Sequence, residues 1–229
     1  EKNQADQRLR SLKRIGRLIG DIKGDRFVAD TVAFVERGDL RVKSEAQSVH
    51  RLLQQAGQEH ARGNSGAACE LYAKARAVAE RLGDHPHAEM AAQGLARYNH
   101  NKGESGELVA LRNKLVSDSK RRNHLQLHAR ALLALANAEG AEQRLSLSLE
   151  HSRQAVEIAR GLGDAEMEIN GSTFVGWAYN RLGDHDSAVK WISESLSLTR
   201  HSWIRLNLAA MAYKKMGDTL VRKGECLIE

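Results

Sequence analysis

Residues 176–188 read Gly176-Trp177-Ala178-Tyr179-Asn180-Arg181-Leu182-Gly183-Asp184-His185-Asp186-Ser187-Ala188. A helical run of small and aromatic residues meets Gly183, and beyond it Ala188, Ile192 and Leu196 resume at steps of four, the stripe of a second helix with one buried face. Glycine inside a helix costs about 1 kcal/mol relative to alanine, so Gly183 is better placed in a turn between the two. The same glycine stands at Gly63 and Gly103, 40 residues apart, and Gly183 lies two such steps beyond. Gln143, with Gly140 close by, holds the intervening place. A turn returning at a fixed interval of this size marks one supersecondary unit copied along a chain, which is the pattern of a solenoid.

That interval serves as a ruler for the flanks. A first unit runs from about Ala46 to Asp84, with one helix through Leu52, Leu53 and Ala56, the turn Gly63-Asn64, and a second helix carrying Ala68, Leu71, Tyr72, Ala75 and Val78. Ala96, Gly103, Leu108, Leu111 and Leu115 keep the register in a second unit, and Ala136, Ser148, Ala155 and Ile158 in a third. The fourth contains the quoted stretch, and a fifth begins with Ala210, Tyr213 and Gly217, the last step shrinking to 34 residues. Small residues recur at Ala56, Ala96, Ala136, Gly176 and Ala210, where paired helices must approach closely. Leu82-Gly83-Asp84 and Leu162-Gly163-Asp164 each offer a glycine for a left-handed helix end and an aspartate to cap the next helix. Residues 1–44 fit worst: Gly16, Gly24-Asp25, Ala29 and Gly38-Asp39 predict a degenerate helical pair or cap, with the repeat array over 45–229.

Composition agrees with an all-α fold. The 229 residues include one proline, 4% aromatic and 28% charged residues, which suits helices and leaves little material for strands. Mean hydropathy is −0.51, and no stretch approaches the roughly 18 apolar residues of a membrane span, so the expectation is a soluble, cytoplasmic chain. Two cysteines, Cys69 and Cys226, make a poor disulfide framework and favour a reducing compartment. The chain begins at Glu1 without methionine, which points to a piece of something longer.

The run Gly176-Trp177-Ala178-Tyr179, then Gly183, Ala188, Ile192 and Ser195-Leu196, resembles the tetratricopeptide repeat (TPR), and Ala56, Gly63, Ala68, Tyr72 and Ala75 repeat much of it. The spacing of 40 is similar to the lengthened variety in G-protein signalling modulators, kinesin light chains and some bacterial regulators. Arg112 departs from the pattern where a bulky apolar residue is expected, as do Gln143 and Ser152, and the late proline has at most an off-register counterpart in Pro86. The resemblance covers about residues 46–217 and implies a right-handed α-solenoid of about five helical hairpins. It also implies that the first helix of each pair lines a concave groove. Carried onto this chain, the groove-facing residues are His50 and His60, then Arg97, His100 and Asn101, then Arg130 and Asn137. Asn170, Trp177, Asn180 and Arg181 follow, then Asn207, Met211, Lys214 and Lys215. Asparagine amides pair with a peptide backbone and arginines hold carboxylates bidentately, so the set suits an extended peptide with acidic side chains.

Other chemistries find less support. The clamp by which chaperone-binding TPR domains grip a terminal carboxylate has Leu133, Phe174, Ile204 and Leu208 at its counterpart positions, and only Asn137 matches in part. The net charge of +6 raises nucleic acid as a partner. Yet the basic clusters Arg8, Arg10, Lys13, Arg14 and Arg17, and Lys120, Arg121 and Arg122, lack aromatics for base stacking and read as solvated faces. His124 and His128 stand four apart and His85 and His87 flank Pro86, but no third ligand joins either pair at a metal-binding spacing, so they read as ordinary surface histidines. No phosphate loop, nucleophile elbow or activated cysteine is present, and Trp177, Trp191 and Trp203 read as packing anchors, with Trp177 placed to face the groove. The expectation is a noncatalytic protein-interaction scaffold without cofactor or metal. Two alternatives are a sensor segment of a larger signalling protein, and self-association through an apolar face around Leu206, Leu208 and Ala209.

Overall fold

The computed structural model describes residues 2–98, 106–199 and 206–226. These residues form eleven α-helices: α1 (Lys2–Lys23), α2 (Phe27–Arg37), α3 (Leu40–Ala61), α4 (Ser65–Leu82), α5 (His85–Tyr98), α6 (Gly106–Arg121), α7 (Leu125–Ala141), α8 (Leu145–Leu162), α9 (Ala165–Leu182), α10 (His185–Leu198) and α11 (Leu206–Cys226). The chain divides into two compact units, Glu1–His128 and Ala129–Glu229.

The ruler is visible as backbone geometry. Besides Gly24, positive φ occurs at Gly63, Gly83, Asn123, Gln143, Gly163 and Gly183, positions that advance in steps of 20 once 103, outside the described residues, is counted as a place. Each ends a helix in the same way. The left-handed residue donates three positions back and its successor five positions back, as in Asp84 to Ala79 (2.9 Å), His124 to Ser119 (3.0 Å), Arg144 to Glu139 (2.8 Å) and Asp164 to Ala159 (2.9 Å). This is the Schellman closure, which satisfies carbonyls the helix would otherwise leave open. Gln143, at the expected turn position, adopts φ +64 although it is not glycine. Helices α9 and α10 begin on aspartate caps: Asp164 accepts the Met167 amide and Asp184 the Ser187 amide, both at 3.0 Å.

In unit 1, α1 and α2 form a helical pair in which Gly16 lets the backbone at Ala29 approach; a Cβ there would meet the Ala29 nitrogen at 3.0 Å. The sequence starts the first repeat near Ala46, but α3 begins at Leu40, because Asp39 caps it by accepting the Val42 amide at 2.8 Å. Val49, Ala75, Ala79, Ala88 and Ala91 form a core there, flanked by Leu52, Leu53, Val78 and Leu82. Arg112, the departure from the apolar pattern, is buried on α6 and its Nη2 donates to the Ala96 carbonyl at 3.2 Å.

Unit 2 is built on the same principle. Ala155, Ala159, Ile169, Val175, Ala178, Ala188 and Ile192 are fully buried, and side chains of isoleucine size contribute about 1.5–3 kcal/mol each by leaving water. Gly176 sits where α9 meets α10, and a Cβ would lie 2.4 Å from Ile192 Cγ1. Gly140 is no turn residue. It lies inside α7, buried against the indole of Trp177.

Candidate protein-interaction site

Helical spacing places Arg130 and Asn137 on one face of α7, and Asn170, Trp177 and Arg181 on one face of α9. Arg130 and Asn137 are exposed, and Asn170 and Trp177 partly buried. The indole of Trp177 presses on α7 at Gly140, where a Cβ would come within 2.4 Å of Cζ3. The position needs glycine because any side chain would fill the space the ring occupies.

Two cations gather on that ring. Arg181 Cζ, from the same helix, lies 5.8 Å from the centroid, and Lys215 Nζ, from α11, lies 5.6 Å away, within the range where a cation is drawn to an aromatic face. Arg181 is exposed and steadied by a hydrogen bond of 2.6 Å from Nη2 to Gln143 Oε1. Burial above all, then the like charges of Lys214, Arg181 and Arg222, pull the Lys215 pKa down, while Asp218 opposes them. Three neighbouring cations therefore act on a partly buried ammonium, against one carboxylate. Such a site favours an incoming anion, which would relieve the repulsion and restore the stability of the ammonium.

The other groove residues expected from the sequence fall differently. Lys214 is exposed next to Lys215. Asn180 is buried at the end of α9, and its Oδ1 accepts from His185 Nδ1 at 2.8 Å, so its amide fastens the α9–α10 turn. His50 and His60 are exposed on α3. Arg97, Asn207 and Met211 belong to α5 and α11, but their side chains are outside the described ones, as are those of Leu206, Leu208 and Ala209; His100, Asn101 and Trp203 lie outside the described residues altogether. Trp191 is partly buried beneath Arg160, whose Cζ lies 5.5 Å from the ring. Lys215, one candidate among many in the sequence, is central only because α11 folds back onto α9.

A second concavity, about 330 Å³, lies in unit 1 between α4, α5 and α6, where Arg76, Lys114, Arg121 and Arg122 face Glu80, Glu89 and Asp118. Its arginines are paired: Arg76 with Glu80 at 2.9 Å, Arg121 with Asp118 at 2.9 Å and Arg122 with Glu89 at 2.5 Å. That compensation distinguishes it from the surroundings of Trp177.

The histidines require a correction. His124 and His128 are buried, not surface residues: His124 bridges Glu89 and Asp30, and His128 Nδ1 lies 3.2 Å from Ser119 Oγ. Among the described residues no group of three or more His, Cys, Asp or Glu side chains is placed to hold a metal ion. No described helix is long and apolar enough to cross a membrane.

No family model matches the sequence and no curated protein matches it. Solved structures do. The chain is similar to a kinesin light chain-like protein of Podosopora anserina with nearly identical TPR-like repeats, at 17% identity over 79% of this chain and 89% of that one, TM-score 0.61. A single-substitution variant of that protein aligns at 17% identity over 79% and 88%, TM-score 0.62. A thermophilic TPR protein of Thermus thermophilus aligns at 21% identity over 79% and 100%, TM-score 0.45. The two kinesin light chain-like structures show the fold: the chain is an all-α, TPR-like repeat solenoid.

Proposed function

We propose that this chain is a noncatalytic interaction scaffold that binds an acidic, extended segment of a partner protein on the face formed by Trp177, Arg181 and Lys215. The observation that carries the reading is the indole flanked by Arg181 and Lys215 at 5.8 and 5.6 Å, in surroundings where Asp218 is the one carboxylate among the described residues acting on Lys215. A carboxylate docked there gains both charges, while the indole offers a flat apolar rest for the neighbouring residue. Arg130, Asn137, Asn170, Asn207 and Lys214 extend the same chemistry as donors to a peptide backbone, and Arg97 on α5 offers it in unit 1. Titration with a glutamate-rich peptide and its glutamine counterpart tests the proposal. The acidic peptide should bind the wild type, and Arg181→Glu with Lys215→Glu should weaken it by at least ~10-fold at unchanged helicity, because two attractions become repulsions. Equal affinity of both peptides, or of both proteins, would sink it.

A second reading, self-association through the C-terminal helix, draws on the exposure of Leu220 and Val221 on α11. Light scattering across a dilution series tests it, and a constant monomer mass removes it.

A further inference from the structure

The turn between α6 and α7 lacks the aspartate that caps α9 and α10. Asp164 and Asp184 follow a left-handed residue and cap the next helix, whereas here Asn123 is followed by His124. The first turn of α7 takes its cap from a distant segment. Asp25, in the turn between α1 and α2, accepts the Gln126 amide through Oδ2 at 3.0 Å and the Phe27 amide through Oδ1 at 2.8 Å. One buried carboxylate thus serves α2 and α7 together. Beside it the Arg26 amide donates to the Asn123 carbonyl at 2.9 Å, and the Phe27 ring stands edge-on to His124 with centroids 5.7 Å apart.

His124 completes this joint. Its side chain is fully buried, with Nδ1 2.9 Å from Glu89 Oε2 on α5 and Nε2 3.0 Å from Asp30 Oδ2 on α2. A neutral imidazole has one N–H and satisfies one carboxylate; the other nitrogen of this fully buried ring would then turn a lone pair toward a carboxylate oxygen. The geometry calls for an imidazolium. The surrounding charges balance it: Arg122 holds Glu89 at 2.5 Å and lies 3.8 Å from Asp118, and Arg26 holds Asp30 at 3.2 Å. His128, the next histidine on α7, is turned to Ser119. Burial alone pulls the His124 pKa down, but the hydrogen bonds and charges of Glu89 and then Asp30 outweigh it, and the net direction is up.

We propose that His124, held as an imidazolium between Asp30 and Glu89, latches the α1–α2 hairpin onto the repeats, and that loss of its proton undocks the hairpin while the repeat helices stay folded. Deprotonation breaks one of the two bonds and turns the bare ring nitrogen's lone pair toward a carboxylate oxygen. The hairpin is the element that yields, because it is fastened at its turn and through α2, whereas the repeat helices share an alanine-rich core. The proposal stands independently of peptide binding.

Hydrogen exchange on the full chain, corrected for the base-catalysed intrinsic rate and followed from about pH 6 to about pH 9, tests the latch. Protection of α1 and α2 should fall at least ~10-fold with the titration of His124, while α3–α6 keep theirs. Asp30→Asn should lower the His124 titration point and bring hairpin release to lower pH; His124→Gln should leave the hairpin fast-exchanging at every pH. Nitrogen NMR of the ring gives a readout in the unaltered protein, expected to show both nitrogens protonated at neutral pH. A neutral His124 there, pH-independent protection of α1–α2, or simultaneous opening of α3–α6 would each overturn the latch.

Discussion

Two histidines four residues apart have their pKa values pushed in opposite directions by what surrounds them. His124 is pulled down by burial but raised more by Glu89 and Asp30, whereas His128 is lowered first by burial and then by Lys120, against a hydrogen bond that it donates to the Val116 backbone carbonyl. Ser119 donates its hydroxyl hydrogen to the Leu115 carbonyl at 2.6 Å, so its oxygen is left to accept from His128 Nδ1–H, which fixes the neutral tautomer. Removing one member of a buried charged pair strands the other, so His124→Gln should destabilise unit 1 by about 3–5 kcal/mol in denaturant unfolding. Gly140→Ala would set a Cβ 2.4 Å from the Trp177 ring; a cost of about 1–3 kcal/mol is expected, with a shift in tryptophan fluorescence as the ring moves. The opposite change is expected at Gln143, which holds φ +64 without being glycine. Gln143→Gly removes about 1 kcal/mol of backbone strain and loses one exposed hydrogen bond to Arg181, so the denaturation midpoint should rise slightly.

Among the helices, the caps are the features most directly written in the sequence. Asp164 and Asp184 each follow a left-handed glycine and hold an amide of the next helix at 3.0 Å, and Asp164→Ala or Asp184→Ala should cost about 1 kcal/mol each in thermal unfolding. Helices α4 and α8 have no side-chain cap, and helix α7 takes one from a distance. Its cap comes from Asp25, about a hundred residues earlier, and that carboxylate also holds the first turn of α2. Asp25→Ala should therefore cost about 2 kcal/mol, roughly twice a local cap, read by the same unfolding measurement. Short-range spacing could not reveal this, because a cap in trans carries no local signature. Gly140 shows the same limit: beside Gln143 it reads as a displaced turn glycine, yet it serves a close approach between helices.

Over the molecule as a whole, the histidines define a pH window for unit 1. The folded pKa of His124 lies above the ordinary value of 6.5, so its contribution is complete below that value and is lost as pH rises through the higher, folded one. His128 lies below 6.5, so its contribution is complete above that value and is lost as pH falls through the folded pKa. Unit 1 should therefore be most stable near pH 6.5, where the two windows meet, a maximum that unfolding across a pH series will find or refute. The helical class, the turn interval, the capping aspartates and the small residues between helices were all legible in the sequence, because each depends on residues within a turn or one repeat of each other. What Trp177 packs against, which lysine lies over it and what holds two buried histidines depend on contacts between segments distant in sequence. Spacing along the chain determines where a helix starts, stops and buries a stripe; the charge of a buried imidazole, or the cations over an indole, is set by neighbours that only folding brings near.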